Sequence, residues 1–316
     1  MSGFEPVAQD LRRLEQRFQE TWSADPELAA GPMRELMEAG GKRLRPTLLL
    51  LCAQLGDYDY ARIEPAAMAV ELTHAATLVH DDIIDRSAWR RGRPTVFAQA
   101  GASEAILVGD YYFGRAYREA SRTGQATVVE VLATTVMAIC EGELEQQKSR
   151  FDYLPRLDRY LRRCELKTGR LLAAACLIGA QLGDLDARAR KAVERYGLQL
   201  GIAFQVVDDV LDYRADAAVL GKPSGHDLME GSATLPLMLA RPHPGLDRLL
   251  VQGQPPTPDA VAEVVALVRA TGGCDRAMEV ARRHAELALT ELPTLPDTAP
   301  RAALRALVGE VLERGS

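Results

Sequence analysis

In the stretch AAMAVELTHAATLVHDDIID (66–85), apolar residues recur every three or four positions before three aspartates end it. That spacing is typical of a helix with a buried face, whereas strict alternation would indicate a strand. The stretch FQVVDDVLDY (204–213) repeats the same apolar and acidic pattern. Helical spacing also recurs in VAQDLRRLEQRFQETW (7–22) and AVAEVVALVRATGG (260–273). The sequence therefore predicts an all-α protein.

The 316 residues are predicted to form one domain, 1–316, because no linker-like segment divides them. The proline-rich segment 252–258 is interpreted as a loop within one helical bundle, since the amphipathic helices after it need a partner face. Helix breaks are expected at DPELAAGP (25–32) and SAWRRGRPT (87–95). A helix start is expected at Thr257, a capping residue that is followed by proline.

Composition and charge limit the classes of function. A hydrophobic fraction of 47% and a charged fraction of 26% are ordinary for a soluble globular protein, and a net charge of −6 argues against a nucleic-acid partner. No apolar run reaches the roughly 18 residues that span a bilayer, so no stable membrane insertion is expected. The five cysteines are scattered without metal-like spacing, which indicates core thiols in a reducing cytoplasm.

The two acidic motifs indicate a metal site. Residues i, i+1 and i+4 of a helix lie close on one side, so each motif forms an acidic patch. A single DDxxD is more often a solvated helix face, but two copies flanked by apolar residues argue against that interpretation. Ligand sets made only of carboxylates suit Mg²⁺, which completes its coordination with water and substrate phosphates. The motifs therefore predict a metal-bridged ligand that carries phosphate groups.

Compact basic clusters could bind such a ligand. Lysine provides a point charge and arginine a two-pronged donor, and neighbouring glycines allow close backbone approach. The alternative interpretation of an isolated basic run is a solvated surface. The clusters are GGKRLRP (40–46), RRGRPT (90–95), KTGR (167–170) and GKPSGHD (221–227).

Taken in this order, and with ELTHAATLVHDDIID (71–85) and GKPSGHDLMEGSATLP (221–236), these motifs closely resemble the trans-isoprenyl (polyprenyl) diphosphate synthases of the long-chain type. The resemblance implies the isoprenoid synthase fold, a helical bundle around a deep central cavity, and a homodimer. It also implies condensation of an allylic diphosphate, such as farnesyl or geranylgeranyl diphosphate, with isopentenyl diphosphate. The product would be a medium- to long-chain all-trans polyprenyl diphosphate.

The resemblance further implies roles for individual residues. The aspartates would hold three Mg²⁺ ions against the allylic diphosphate: Asp81, Asp82, Asp85, Asp208, Asp209 and Asp212. The catalytic residues would be Lys167, Thr168, Gln205 and Lys222. The residues that bind the two diphosphates would be Lys42, Arg45, His74, Arg90 and Arg91.

Product length is predicted from the residues before the first acidic motif. Ala76 and Thr77 are small, whereas short-chain relatives commonly carry an aromatic residue there, so a product of about thirty to fifty carbons is expected. Tyr111, Tyr112 and Phe113 are candidates for the floor of the cavity, with ordinary core packing as the equal alternative.

Three other functions stay open at this point. A short-chain farnesyl or geranylgeranyl diphosphate synthase would be limited by Tyr112 or Phe113. A partner-dependent subunit of a heteromeric synthase is less favoured, because such subunits typically lose acidic motifs and both are complete here. A terpene cyclase would pair one DDxxD with a different second motif.

Overall fold

The computed structural model describes residues 2–23, 25–38, 43–90, 92–214 and 224–315. Within these ranges helices and one short hairpin make up the regular secondary structure, and loops connect them, which confirms the all-α prediction. In this described part, no helix is both long enough and apolar enough to span a membrane. The α-helices are α1 (Ala8–Trp22), α2 (Glu27–Glu38), α3 (Leu44–Ala53), α4 (Tyr60–Ile84), α5 (Val96–Ala100), α6 (Ala102–Arg122), α7 (Ala126–Lys148), α8 (Leu157–Cys164), α9 (Arg170–Leu182), α10 (Ala187–Arg214), α11 (His226–Met229), α12 (Leu235–Ala240), α13 (Pro244–Leu249), α14 (Pro258–Ala270), α15 (Gly273–Glu291) and α16 (Ala299–Glu313).

Three further helical segments and two strands complete the list of elements. Short 3₁₀ helices cover Ser2–Val7 and Leu292–Thr294, and a π-helix covers Glu165–Gly169 between α8 and α9. Strands β1 (Trp89–Arg90) and β2 (Arg93–Pro94) pair antiparallel after α4.

Two compact units make up the chain. The first comprises Met1–Val136, Leu171–Glu194 and Leu292–Ala306, and the second comprises Met137–Arg170, Arg195–Glu291 and Leu307–Ser316. Residues of α7, α10 and α16 are divided between the two units. The prediction of a single domain over 1–316 stays a prediction.

The core of the first unit contains two helices that are buried nearly all round, α3 and α9. Such helices are apolar on every side because no face meets water. A Cβ on Gly179 of α9 would collide with the carbonyl of Leu49 on α3, so glycine allows these backbones to touch. Helix α4 packs on the same unit, where the Asp59 side chain caps it by accepting from the Ala61 amide at 3.0 Å.

The second unit is built around residues 195–214 of α10 and the helices α11–α15. Helix α14 begins as predicted: the Thr257 hydroxyl accepts from the Ala260 amide at 3.2 Å, and Pro258 is the first helical residue. Helices α12 and α15 pack closely, because Gly273 places no side chain against the carbonyl of Pro236.

Both expected helix breaks are present. Helix α1 ends at Trp22 and α2 begins at Glu27, so the first break includes Asp25 and Pro26, while the rest of DPELAAGP is helical. Pro26 precedes the helix, where it costs no hydrogen bond, and a Cβ on Gly31 would meet nothing within 4 Å. The stretch SAWRRGRPT does interrupt the helices, with Gly92 at φ +76° in the turn between β1 and β2.

Candidate active site

Both acidic motifs lie at the carboxyl end of a long helix. Helix α4 ends at Ile84 with Asp85 as its C-cap residue, and α10 ends at Arg214, two residues beyond Asp212. The carboxyl end of a helix carries a partial negative charge that disfavours further anions. Each cluster of aspartates is therefore placed where it gains most from a bound cation.

The first motif contains one buried and two half-buried carboxylates. Asp82 is only 3% exposed, while Asp81 and Asp85 are half-buried. The Nε and Nη2 atoms of Arg90 each lie 2.8 Å from Oδ1 of Asp82. A carboxylate this deeply buried needs such a partner, because an uncompensated charge would cost several kcal/mol.

The hairpin after α4 brings Arg90 back to the motif. Arg90 pairs with Arg93 across the turn, and the Thr95 hydroxyl donates to the carbonyl of Ser87 at 2.6 Å, which closes the loop. The predicted diphosphate-binding residue Arg90 thus lies beside the predicted metal ligand Asp82. Its neighbour Arg91 lies outside the described residues.

Arg43, the N-cap residue of α3, was not among the predicted site residues. Arg43 adopts φ +47° and donates to Glu15 at 3.2 Å, to the buried Glu71 at 3.1 Å and to the Met37 carbonyl at 3.0 Å. The predicted substrate-binding Arg45 follows it, half-buried, on the first turn of α3. Lys42 lies outside the described residues.

The residues assigned to product length lie on α4 and α6. Ala76 is fully buried, and half-buried Thr77 donates its hydroxyl to the carbonyl of His74 at 2.7 Å. His74, a predicted substrate-binding residue, is half-buried on α4, two turns before the aspartates.

The aromatic residues of α6 point to different neighbours. Tyr112 is fully buried and donates its hydroxyl to the carbonyl of Ala29 at 3.2 Å, which agrees with core packing. Phe113 is half-buried and packs against the imidazole of His80, with ring centroids 5.6 Å apart. Phe113 is therefore the aromatic residue of this group that lies next to the first motif.

In the second motif, both carboxylate oxygens of Asp209 accept hydrogen bonds. The Tyr160 hydroxyl donates to Oδ2 at 2.6 Å, and the Gln205 amide donates to Oδ1 at 2.8 Å. Burial and the charge of nearby Asp227 raise the pKa of Asp209 to about 7, against the lowering effect of these two donors. Tyr160 was not among the predicted site residues.

The other two aspartates of this motif have different partners. Nη2 of Arg314 lies 3.0 Å from Oδ1 of Asp208, and its guanidinium also stacks over Phe204 at 4.7 Å from the ring centroid. Asp212 is 2% exposed, and its Oδ2 accepts from the backbone amide of Asp227 at 3.2 Å. The sequence analysis assigned no role to Arg314.

Lys167 and Thr168 lie in the π-helix, a wide turn that often marks functional positions. Nζ of Lys167 lies 2.5 Å from the Glu143 carboxylate and donates to Gln146 at 3.0 Å. The Thr168 hydroxyl donates to the amide oxygen of Gln205 at 2.6 Å, so two predicted catalytic residues are in direct contact. The remaining one, Lys222, lies outside the described residues.

The donor atoms fit a divalent cation that binds together with a phosphate ligand. Across the described ranges, no group of three or more His, Cys, Asp or Glu side chains could hold a metal ion unaided. Mg²⁺ does not require one, since it commonly takes one or two carboxylates, several waters and the substrate phosphates. The carboxylate oxygens of Asp82, Asp208 and Asp209 match this preference for hard ligands.

Comparisons with known proteins agree with this geometry. The polyprenyl synthetase family profile matches residues 26–267. The chain is 36% identical over 306 residues to heptaprenyl diphosphate synthase component 2 of Geobacillus stearothermophilus, covering 95% of this chain and 94% of that protein. It is 36% identical over 313 residues to the all-trans-nonaprenyl-diphosphate synthase (geranyl-diphosphate specific) of Rhodobacter capsulatus, covering 98% and 96%. The crystal structure of a polyprenyl synthase from Caulobacter crescentus, complexed with calcium and isoprenyl diphosphate, matches with a TM-score of 0.92 and 32% identity, covering 100% and 98%.

The helical architecture, the two aspartate motifs and the similarity to these relatives lead to one conclusion. The protein is a prenyltransferase with the isoprenoid synthase fold. It belongs to the polyprenyl synthetase family. The resemblance to the trans-isoprenyl diphosphate synthases of long-chain type is thereby confirmed, while the roles of individual residues stay predictions.

Proposed function

We propose that this protein is a Mg²⁺-dependent trans-polyprenyl diphosphate synthase that extends an allylic diphosphate with isopentenyl diphosphate. The observation that carries the proposal is the pair of partly buried aspartate motifs at the carboxyl ends of α4 and α10. A relative named as a nonaprenyl-diphosphate synthase and a structural neighbour that holds calcium and isoprenyl diphosphate support it.

The reaction breaks one bond and forms another without a protein nucleophile. The C–O bond of the allylic diphosphate breaks, and diphosphate leaves with the electron pair. The double bond of isopentenyl diphosphate attacks the allylic carbon, a C–C bond forms, and loss of a proton restores a double bond. Bound divalent ions stabilise the negative charge that develops on the leaving diphosphate.

The chain's own residues have two tasks in this scheme. The six aspartates of the two motifs would hold the metal ions, of which the full complex would contain three, and Arg90, Lys167 and Lys222 would neutralise the allylic diphosphate. The second diphosphate is bound by Lys42, Arg45, His74 and Arg91. Holding both diphosphates at a fixed separation supplies the orientation that a bimolecular reaction lacks in solution.

The product is proposed to be a medium- to long-chain polyprenyl diphosphate. Small residues before the first motif support this, because Ala76 presents only a methyl group where an aromatic ring would obstruct a growing chain. The Tyr112 hydroxyl donates to the Ala29 carbonyl at 3.2 Å, so this side chain takes part in core packing between α6 and α2.

We also propose a cytoplasmic homodimer. Leu107 is 67% exposed and Ile106 is 46% exposed on α6, and a pair of exposed apolar side chains favours a protein contact there. The five free cysteines, four of them buried, agree with a reducing compartment. Light scattering on the purified protein measures the mass, and a monomer would contradict the dimer.

The test of the function is incubation of the purified protein with Mg²⁺, labelled isopentenyl diphosphate and geranyl, farnesyl or geranylgeranyl diphosphate, followed by chromatography of the products. Products of about thirty carbons or more are expected. A stop at about twenty carbons would assign a short-chain synthase. No product would favour the partner-dependent alternative. The Geobacillus relative is named as component 2 of a heptaprenyl diphosphate synthase, so this alternative is included in the test.

A further inference from the structure

Asp209 differs from Asp82 and Asp208 in that its side-chain hydrogen-bond partners, Tyr160 and Gln205, are both neutral. Asp82 faces Arg90 and Asp208 faces Arg314. A neutral donor orients a carboxylate without cancelling its charge. Because neither partner is a cation, neither competes in charge with a divalent ion that binds Asp209, which is only 3% exposed.

The two donors also fix the orientation of the carboxylate. A carboxylate turns readily about its Cβ–Cγ bond when only one oxygen is held. Here Tyr160 holds Oδ2 at 2.6 Å from α8, and Gln205 holds Oδ1 at 2.8 Å from one turn earlier on α10. With both oxygens held from different helices, the plane of the Asp209 carboxylate is set.

The donors are themselves fixed by their surroundings. The Tyr160 ring is 2% exposed, and the guanidinium of Arg163 lies 5.5 Å from its centroid while donating to the Ala233 carbonyl at 3.1 Å. The Gln205 amide oxygen accepts from Thr168 at 2.6 Å, which determines the orientation of the amide. Asp209 is thus held by groups that have little freedom to move.

We propose that Tyr160 is a positioning residue of the metal site, whose hydroxyl holds Asp209 in one orientation for the complex of metal ions and diphosphate. The inference rests on the proposed function and deepens it. A second group that orients a metal ligand commonly contributes ten- to a hundredfold to metal affinity. The purely structural alternative is that Tyr160 only satisfies a buried carboxylate.

The chain offers a matched control for this proposal. Tyr153 is also buried in the second unit, and its hydroxyl donates to the carbonyl of Gln254 at 2.9 Å. Tyr160→Phe and Tyr153→Phe each remove one hydroxyl and one buried hydrogen bond, so both are expected to lower the Tm by a few degrees. Only Tyr160→Phe is expected to affect the metal site.

The first readout is binding of Mn²⁺ in the presence of inorganic diphosphate, followed by electron paramagnetic resonance of the full-length protein. Tyr160→Phe is expected to weaken Mn²⁺ binding about tenfold. Tyr153→Phe is expected to bind as the wild type does. Equal Mn²⁺ affinity in both variants would overturn the proposal, because the Tyr160 hydroxyl would then have only a structural role.

The second readout is turnover. Tyr160→Phe is expected to lower kcat at limiting Mg²⁺, to regain it at excess Mg²⁺, and to leave the KM for isopentenyl diphosphate unchanged. A loss of kcat that excess Mg²⁺ does not reverse would contradict a role through the metal. If the wild type binds Mn²⁺ with diphosphate but transfers no prenyl group, the proposed function fails while the Tyr160 comparison still decides the positioning role.

A third measurement keeps the tyrosine hydroxyl, so it still tests the proposal if Tyr160→Phe fails to fold. 3-Fluorotyrosine is placed at position 160 or 153, and its ¹⁹F resonance is followed as Mg²⁺ and inorganic diphosphate are added. A shift at position 160 and none at 153 is the expected result. An unmoved resonance at position 160 would overturn the proposal.

Discussion

At the scale of single residues, the aspartates of the two motifs differ in what balances their charge. Asp82 is deeply buried and relies on Arg90, whereas the Asp208 side chain is 36% exposed and pairs with Arg314, whose side chain is 28% exposed. Exposed ion pairs contribute little, about 0–1 kcal/mol. Arg314 is therefore a weak competitor that a metal ion can displace from Asp208.

Arg314→Gln is expected to strengthen Mn²⁺ binding by up to about fivefold, because Asp208 loses a cation that competes with the metal. Electron paramagnetic resonance in the presence of inorganic diphosphate measures the change. Arg305→Gln, which removes an exposed arginine of α16, is the control and should leave the affinity unchanged. Weaker binding by Arg314→Gln would contradict competition and would indicate that Arg314 helps to hold the diphosphate.

Ala76→Tyr is expected to shorten the product, because the ring adds bulk about one turn before Asp81 on α4, where the growing chain has to pass. Ala76 is fully buried, so overpacking is expected to cost about 1–3 kcal/mol of stability. Chromatography measures the length of the product, and thermal unfolding measures the loss of stability. A folded variant with the product spectrum of the wild type would mean that the chain grows along another path.

At the scale of the elements, glycine contacts hold the π-helix that carries Lys167 and Thr168. A Cβ on Gly142 of α7 would lie 2.8 Å from the Leu166 Cβ, and a Cβ on Gly201 of α10 would lie 2.6 Å from the Gly169 Cα. Such distances are too short for real contacts, so the two helices approach the π-helix only because they lack side chains there.

Gly201→Ala is expected to lower both the Tm and kcat, since its methyl group would push the π-helix and its two predicted catalytic residues aside, at a cost of about 1–3 kcal/mol. Thermal melts and steady-state rates measure the two effects. The matched control is Gly114→Ala on α6, where a Cβ meets nothing within 4 Å and a gain of about 0.5–1 kcal/mol is expected. If Gly201→Ala were as stable and as active as Gly114→Ala, the close contact would not position the π-helix.

An element can be predicted from the sequence when the interactions that determine it lie within that element. The apolar spacing of 66–85 lies within one helix, so α4 and the shared side of its aspartates follow from the sequence. The π-helix could not be predicted in this way, because the glycines that allow its close packing lie in other helices, α7 and α10. Tyr160 could not be selected either, since it meets Asp209 across 49 residues of sequence and only packing brings them together.

At the scale of the whole molecule, the similarity to polyprenyl synthases covers nearly the full chain, and each compact unit contains one of the two aspartate motifs. The first unit contains Asp81, Asp82 and Asp85, and the second contains Asp208, Asp209 and Asp212. Each set sits at the carboxyl end of its helix, where the helix dipole opposes it. Aspartates at these helix ends repel the helix dipole in the absence of bound cations, and binding of cations removes this repulsion.

The central claim is that both aspartate motifs hold the metal ions that activate the diphosphate, and the most direct test is the rate of isopentenyl diphosphate incorporation by Asp81→Ala and Asp208→Ala. Each variant is expected to lose several orders of magnitude in rate with unchanged helical content by circular dichroism, because ionisation of the allylic diphosphate depends on the metal. Glu263→Ala, which removes an exposed carboxylate of α14, should keep the wild-type rate. Near-wild-type rates in either aspartate variant would contradict the claim for that motif.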